Sequence, residues 1–222
     1  MYDVIVVGAR CAGSPTAMLL ARKGYRVLLV DRATFPSDTL STQFIRPYGV
    51  AQLKRWGLLE RVIASGCPPI SRFGLEWGHL SLAGSPPPRD GVAESYAPRR
   101  TVLDMLLVDA AVAAGAELRA GFAVHDLLWD GDRVTGIRGQ TRPGTVLTEE
   151  ARIVIGGDGR HSRVARAVGA PAYLAAPPLG CAYYTYWSGI ALDGFEGYQR
   201  LFPQSCLDPT ATQSVCASSA KT

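Results

Sequence analysis

A turn bracketed by glycines, set between a β-branched strand and a helix, constrains this chain more than any other feature. Residues 2–7, Tyr-Asp-Val-Ile-Val-Val, have the composition of a buried strand and stop at Gly8. Ser14 to Lys23 carries apolar residues at helical spacing and ends at Gly24. Arg26 to Val30 is a second apolar strand that ends at Asp31. This order predicts two parallel strands joined by a right-handed crossover helix.

The turn itself is Gly8-Ala9-Arg10-Cys11-Ala12-Gly13, with glycine at the first and third positions of a GxGxxG pattern and Arg10 at the second. In that pattern the first glycine makes the tight turn. The second admits a pyrophosphate to the backbone, and the third lets helix pack on strand. The helix N-terminus then offers amide groups and the positive end of its dipole to the phosphates. Arg10 adds a side chain where none is usual, but its guanidinium suits phosphate. Asp31 stands where an acidic residue accepts hydrogen bonds from an adenosine ribose, which disfavours a 2′-phosphate there. Gly8, Ala9, Arg10, Gly13, Asp31 and Arg32 are therefore the dinucleotide-binding candidates of this region.

Further along, Tyr48 to Trp56 and Leu58 to Ser65 read as helices broken at Gly57, and Phe73 to Leu82 alternates loosely. The Gly84-Ser85-Pro86-Pro87-Pro88 turn suits no central strand and predicts an excursion into a second layer. Thr101 to Ala114 is an amphipathic helix with Leu103, Leu106, Leu107 and Ala110 on one face and Gly115 as its stop. Ala123 to Trp129 and Arg133 to Ile137 flank Asp130-Gly131-Asp132, a hairpin signal, and Thr145 to Thr148 can add a strand. A small β-meander is expected there. Arg152 to Ile155 is another β-branched strand, opening into Gly156-Gly157-Asp158-Gly159 and a short helix near Arg163 to Val168. Tyr183 to Trp187 is a possible strand of the second layer, and from Pro203 onward no periodicity remains.

At 222 residues, 47% apolar and 19% charged, the chain has ordinary globular usage and the length for one large domain or a domain with part of a second. The 23 basic residues are scattered among acidic ones, so the net charge of +4 forms no stripe for a nucleic-acid backbone. The five cysteines are widely spaced with no CxxC pair, which favours a reducing, cytoplasmic setting. No apolar run approaches the ~20 residues of a membrane span. The three histidines are isolated, with no metal-ligand spacing, so no metal is expected.

Three separated stretches, in order, resemble the FAD-dependent oxidoreductases of the aromatic hydroxylase and geranylgeranyl reductase type. They are Asp3 to Arg32, Arg100-Thr101-Val102-Leu103-Asp104 opening the long helix, and Ile153 to Arg166 with its Gly157-Asp158-Gly159-Arg160-His161-Ser162 run. The resemblance covers the chain to about residue 190 and implies an α/β fold. That fold is a glutathione-reductase-like FAD-binding domain of Rossmann type with a β-meander, joined to part of a β-rich substrate domain. Residues 1–70 and 99–170 would form the FAD-binding domain, 71–98 and 171–200 the partial substrate domain, and 201–222 a poorly ordered tail. It also implies that Arg100 lies near the FAD pyrophosphate and that Asp158, flanked by Gly157 and Gly159, contacts FAD ribose and serves transient NAD(P)H binding. The small polar loop Asp38-Thr39-Leu40-Ser41-Thr42-Gln43 resembles one that lies near the flavin.

The family's third FAD motif, a further Gly-Asp at another helix N-terminus, has no match here, so the sequence looks like an N-terminal portion. The expected function is a NAD(P)H-dependent monooxygenase or reductase with a small organic substrate, no nucleic-acid partner and no assignable acid, base or nucleophile. Two other readings stay open: a catalytically inactive FAD-binding fragment, and a simple NAD-dependent Rossmann dehydrogenase, in which the meander and the Gly-Asp-Gly motif would have no place.

Overall fold

In the computed structural model the residues described are 1–176, apart from 40, 42, 43, 78, 79 and 143, together with 196–201. In chain order the elements are β1 (Tyr2–Val7), α1 (Gly13–Arg22), β2 (Val27–Asp31), α2 (Pro47–Arg55), α3 (Leu59–Ala64), β3 (Pro69–Ile70), β4 (Arg72–Trp77) and β5 (Leu80–Gly84). There follow β6 (Ser95–Tyr96), α4 (Arg100–Ala113), β7 (Glu117–Ala120), β8 (Phe122–Asp130), β9 (Arg133–Thr141), β10 (Val146–Gly156), α5 (Arg163–Ala167) and β11 (Glu196–Leu201). They divide into two compact units, residues 1–39 with 99–173 and residues 40–98 with 174–222.

The first unit is built on one six-stranded sheet of order β7-β2-β1-β10-β9-β8. β7, β2, β1 and the second half of β10 run parallel, with Ile5 opposite Leu28 and Val154. The expected α/β class and the β1-α1-β2 crossover are both present. Two features depart from expectation. The Glu117–Ala120 edge strand carries two charged residues in four and gives no apolar signal. The stretches Thr145 to Thr148 and Arg152 to Ile155, read as separate strands, are one strand of 11 residues. β10 pairs antiparallel with β9 through residues 146–150, then parallel with β1 from Ala151 to Gly156.

That change of partner joins the meander to the nucleotide-binding sheet. Phe122, Leu127 and Ile137 of the meander pack with Ile5, Val7, Leu28 and Val30 on one face of the parallel strands. Burial of each such side chain stabilises the domain by roughly 1.5–3 kcal/mol. α1 and α4 pack on each other, burying Ala17, Met18 and Ala21 from α1 and Leu103, Leu107, Val108 and Ala111 from α4.

In the second unit, β4 pairs with β5 and β11, and β3 with β6. The loosely alternating stretch from Phe73 to Leu82 is thus a hairpin. By contact, residues 40–70 group with this unit. The reason lies in their neighbours: α2 packs on α3 and β6, and Ile45 exchanges backbone hydrogen bonds with Tyr96. The expected strand at Tyr183 to Trp187 and the expected tail beyond Leu201 lie outside the described residues.

Candidate dinucleotide site

The site grows from the end of β1. Gly8 has φ +102°, a left-handed conformation that favours glycine. A Cβ on Gly8 would lie 2.5 Å from the Gly157 carbonyl oxygen, and one on Gly13 would lie 1.7 Å from the Gly8 carbonyl oxygen. The Gly157 N–H donates to the Val7 carbonyl at 2.7 Å. Two glycine turns, one after β1 and one after β10, therefore interlock by backbone contact, and the start of α1 rests against them.

Asp31, nine-tenths buried at the end of β2, holds this turn from the other side. Its Oδ2 accepts from the Ala9 N–H at 2.7 Å and its Oδ1 from the Ala33 N–H at 2.8 Å. Each oxygen keeps a further lone pair for a ligand. No side chain caps α1, and its first turn contains no acidic residue, so the positive end of the helix is left uncompensated. Ser14, in that first turn, is fully buried, and its hydroxyl has no hydrogen-bond partner among the described residues. A buried hydroxyl of this kind calls for a partner, and residue spacing alone did not single it out. Arg32 is exposed.

The arginines are placed around a carboxylate. Arg100, the first residue of α4, makes a two-pronged contact with Asp104 through Nε at 2.9 Å and Nη2 at 3.0 Å. Arg10 Nη1 donates to the same carboxylate at 2.7 Å, and Arg10 Nη2 donates to Ser37 Oγ at 2.9 Å. The Cys11 thiol donates to Asp104 Oδ1 at 3.5 Å. Cys11 is exposed as a residue, but desolvation of its Sγ beside the turn, reinforced by Asp104 and partly offset by Arg100, pushes the thiol up to about 11. Arg10 and Arg100 thus sit in one cluster beside the glycine turn. Their common carboxylate, Asp104, was not among the expected site residues.

Asp158 follows the second glycine turn and serves the start of α5. Its Oδ1 accepts from Ser162 Oγ at 2.5 Å, and its Oδ2 accepts from the backbone N–H groups of Arg163 at 2.6 Å and Val164 at 3.3 Å. Gly159 has φ +85° with open space beside it. In the small polar loop, Asp38 pairs with Arg99 at 2.9 Å, and that guanidinium holds its carboxyl below the ordinary range. Leu40, Thr42 and Gln43 of the same loop lie outside the described residues, as does His79. Among the described residues no His, Cys, Asp and Glu group could hold a metal ion, and no helix is long and apolar enough to cross a membrane.

Residues 1–177 match the family described as FAD binding domain. The chain belongs to this family. Among the curated members that it resembles, it is 35% identical over 175 residues to rifampicin monooxygenase of Streptomyces venezuelae, a match covering 76% of this chain and 34% of that protein. It is 33% identical over 176 residues to digeranylgeranylglycerophospholipid reductase 1 of Methanopyrus kandleri, covering 76% of this chain and 42% of that one. The chain thus spans about a third to two fifths of the length of these relatives. The solved structure of the myxobacterial chondrochloren halogenase, an FAD-dependent halogenase, superposes with a TM-score of 0.63 at 27% identity, over 72% of this chain and 38% of that one. The resemblance carried by the three motifs therefore holds, and the FAD-binding, Rossmann-type α/β fold is shared with these flavoproteins. These residues fit the family's cofactor: glycine turns packed too closely to admit a Cβ, an uncapped helix end, an unpartnered buried hydroxyl and a buried acid beside them.

Proposed function

We propose that this chain forms the FAD-binding part of a flavoprotein oxidoreductase, a NAD(P)H-dependent monooxygenase or reductase acting on a small organic molecule in the cytoplasm. The observation that carries this reading is the interlock of Gly8, Gly13 and Gly157 beneath the uncapped start of α1. It packs two glycine turns together beside a helix N-terminus, whose backbone N–H groups suit a pyrophosphate. In this reading the backbone from Gly8 to Gly13 and the Ser14 hydroxyl bind the pyrophosphate, and Asp31 orients the adenosine ribose through its remaining lone pairs. Arg100 supplies the nearby positive charge, and Asp158 with Gly159 contacts FAD ribose and serves transient NAD(P)H binding. When bound, FAD supplies the redox chemistry, accepting reducing equivalents from NAD(P)H and delivering them to oxygen or to the substrate. The family's monooxygenase and reductase members support both outcomes.

The test is the visible absorption spectrum of the purified chain, with any released cofactor identified after heat denaturation. Flavin absorption near one FAD per chain is the expected result. A colourless protein that takes up no added FAD overturns the reading.

A further inference from the structure

Arg10 occupies the position where the dinucleotide pattern has its second glycine. That glycine can be demanded by backbone conformation or by the approach of a ligand. Here it is not backbone conformation, because Asp90 is the only non-glycine with a positive φ among the described residues. What a side chain at this position threatens is the space in front of the turn.

The structure shows how that side chain is held. Asp104 is fully buried, an uncommon place for a carboxylate, and it takes Arg10 Nη1 at 2.7 Å. Ser37 takes Nη2 at 2.9 Å, and the guanidinium lies over the Phe35 ring at 5.8 Å. Two edges of the guanidinium are satisfied and one face is covered, all from residues outside the turn. Asp104 simultaneously binds Arg100 by two hydrogen bonds, so one buried carboxylate faces two guanidinium groups from different elements.

We propose that Asp104 is a positioning residue that draws the Arg10 side chain toward α4, away from the front of the Gly8–Gly13 turn, and so makes a non-glycine residue compatible with a bound dinucleotide. The proposal rests on the FAD-binding reading above. It has a consequence that a purely structural Asp104 lacks: the need for the carboxylate depends on Arg10 being there. Removing Asp104 frees a long cationic side chain in front of the turn. With glycine at position 10 there is nothing left to restrain, and only the contribution made through Arg100 is lost.

The test is a double-mutant cycle on the full chain, read by FAD titration through flavin fluorescence, with circular dichroism confirming the fold. Asp104→Asn is expected to weaken FAD binding about tenfold, and most of that loss is expected to disappear in the Arg10→Gly background, a coupling typical of contacting residues. Should Asp104→Asn not fold, Phe35→Leu with Ser37→Ala releases the same guanidinium from its other side and is expected to show the same rescue by Arg10→Gly. An equal loss in both backgrounds overturns the proposal while leaving FAD binding intact. If the unmodified chain binds no FAD, the functional reading falls and this inference falls with it.

Discussion

The backbone N–H of Ala9 donates to the Asp31 carboxylate at 2.7 Å, tying the first glycine turn to the end of the neighbouring strand. The other carboxylate oxygen accepts from Ala33, so both oxygens face donors. Asp31→Asn would turn an NH2 group toward one of these N–H groups and leave a buried donor unsatisfied. The expected cost is about 1–3 kcal/mol of stability, measured by urea unfolding, together with weaker FAD uptake.

The glycines of the interlock should be far less replaceable than glycines elsewhere. A Cβ on Gly13 meets backbone at 1.7 Å, which no rotamer change relieves. Gly13→Ala is expected to cost more than about 4 kcal/mol and to leave little soluble folded protein. Gly24 also has a left-handed backbone, φ +86°, but nothing stands within 4 Å of its missing Cβ. Gly24→Ala should cost about 1–2 kcal/mol from backbone conformation alone and keep the fold.

At the opposite end of β1, the Tyr2 hydroxyl donates to Glu117 at 2.6 Å. This bond, with help from Arg119, holds the Glu117 carboxyl below its ordinary value. A carboxyl depressed in the folded state contributes stability above its unfolded value of about 4.3, and that stability is lost as the pH falls through the lower folded value. Tyr2→Phe should therefore reduce stability at neutral pH and flatten its decline below about pH 4. Melting temperature measured between neutral and acid pH checks this, and an unchanged acid slope would count against the assignment.

Cys11 lies in the first glycine turn, and its thiol is pushed up to about 11. An ordinary thiol near 8.5 is substantially ionised at pH 8, whereas this one is almost wholly protonated. Alkylation of the Cys11 peptide at pH 8, followed by mass spectrometry, should be at least about tenfold slower in the native chain than in urea. Equal rates would show that the Sγ is not held against Asp104.

The β1-α1-β2 unit was legible because its signals are local: β-branched runs, helical spacing and glycines at the turns. β10 was not, because Glu149 and Glu150 interrupt its apolar pattern at the point where it exchanges one partner for another. β7 was hidden for a related reason, since an edge strand with Glu117 and Arg119 has no period to detect. At the site, Gly8, Gly13 and Asp31 come together as their spacing suggests, whereas Asp104 carries no such signal within its helix-opening motif. Four residues after Arg100, it resembles an ordinary surface ion pair. The signal available was its company: Leu107, Val108 and Ala111 follow it at helical spacing and are buried. A carboxylate in that stripe calls for a charged or hydrogen-bonding partner. Ser14 left no trace, because an orphaned hydroxyl is visible only once its surroundings are known.

The interlock of Gly8 with Gly157 also sets an order of events. β1 precedes by the whole meander the strand that covers one of its edges and the turn that packs against Gly8. Until then one side of an apolar strand stands open, and the nascent chain has half a binding surface. Assembly of this domain is therefore dominated by contacts distant in sequence, a topology that folds slowly. Residues near position 157 decide when the turn after β1 finds its backbone partner.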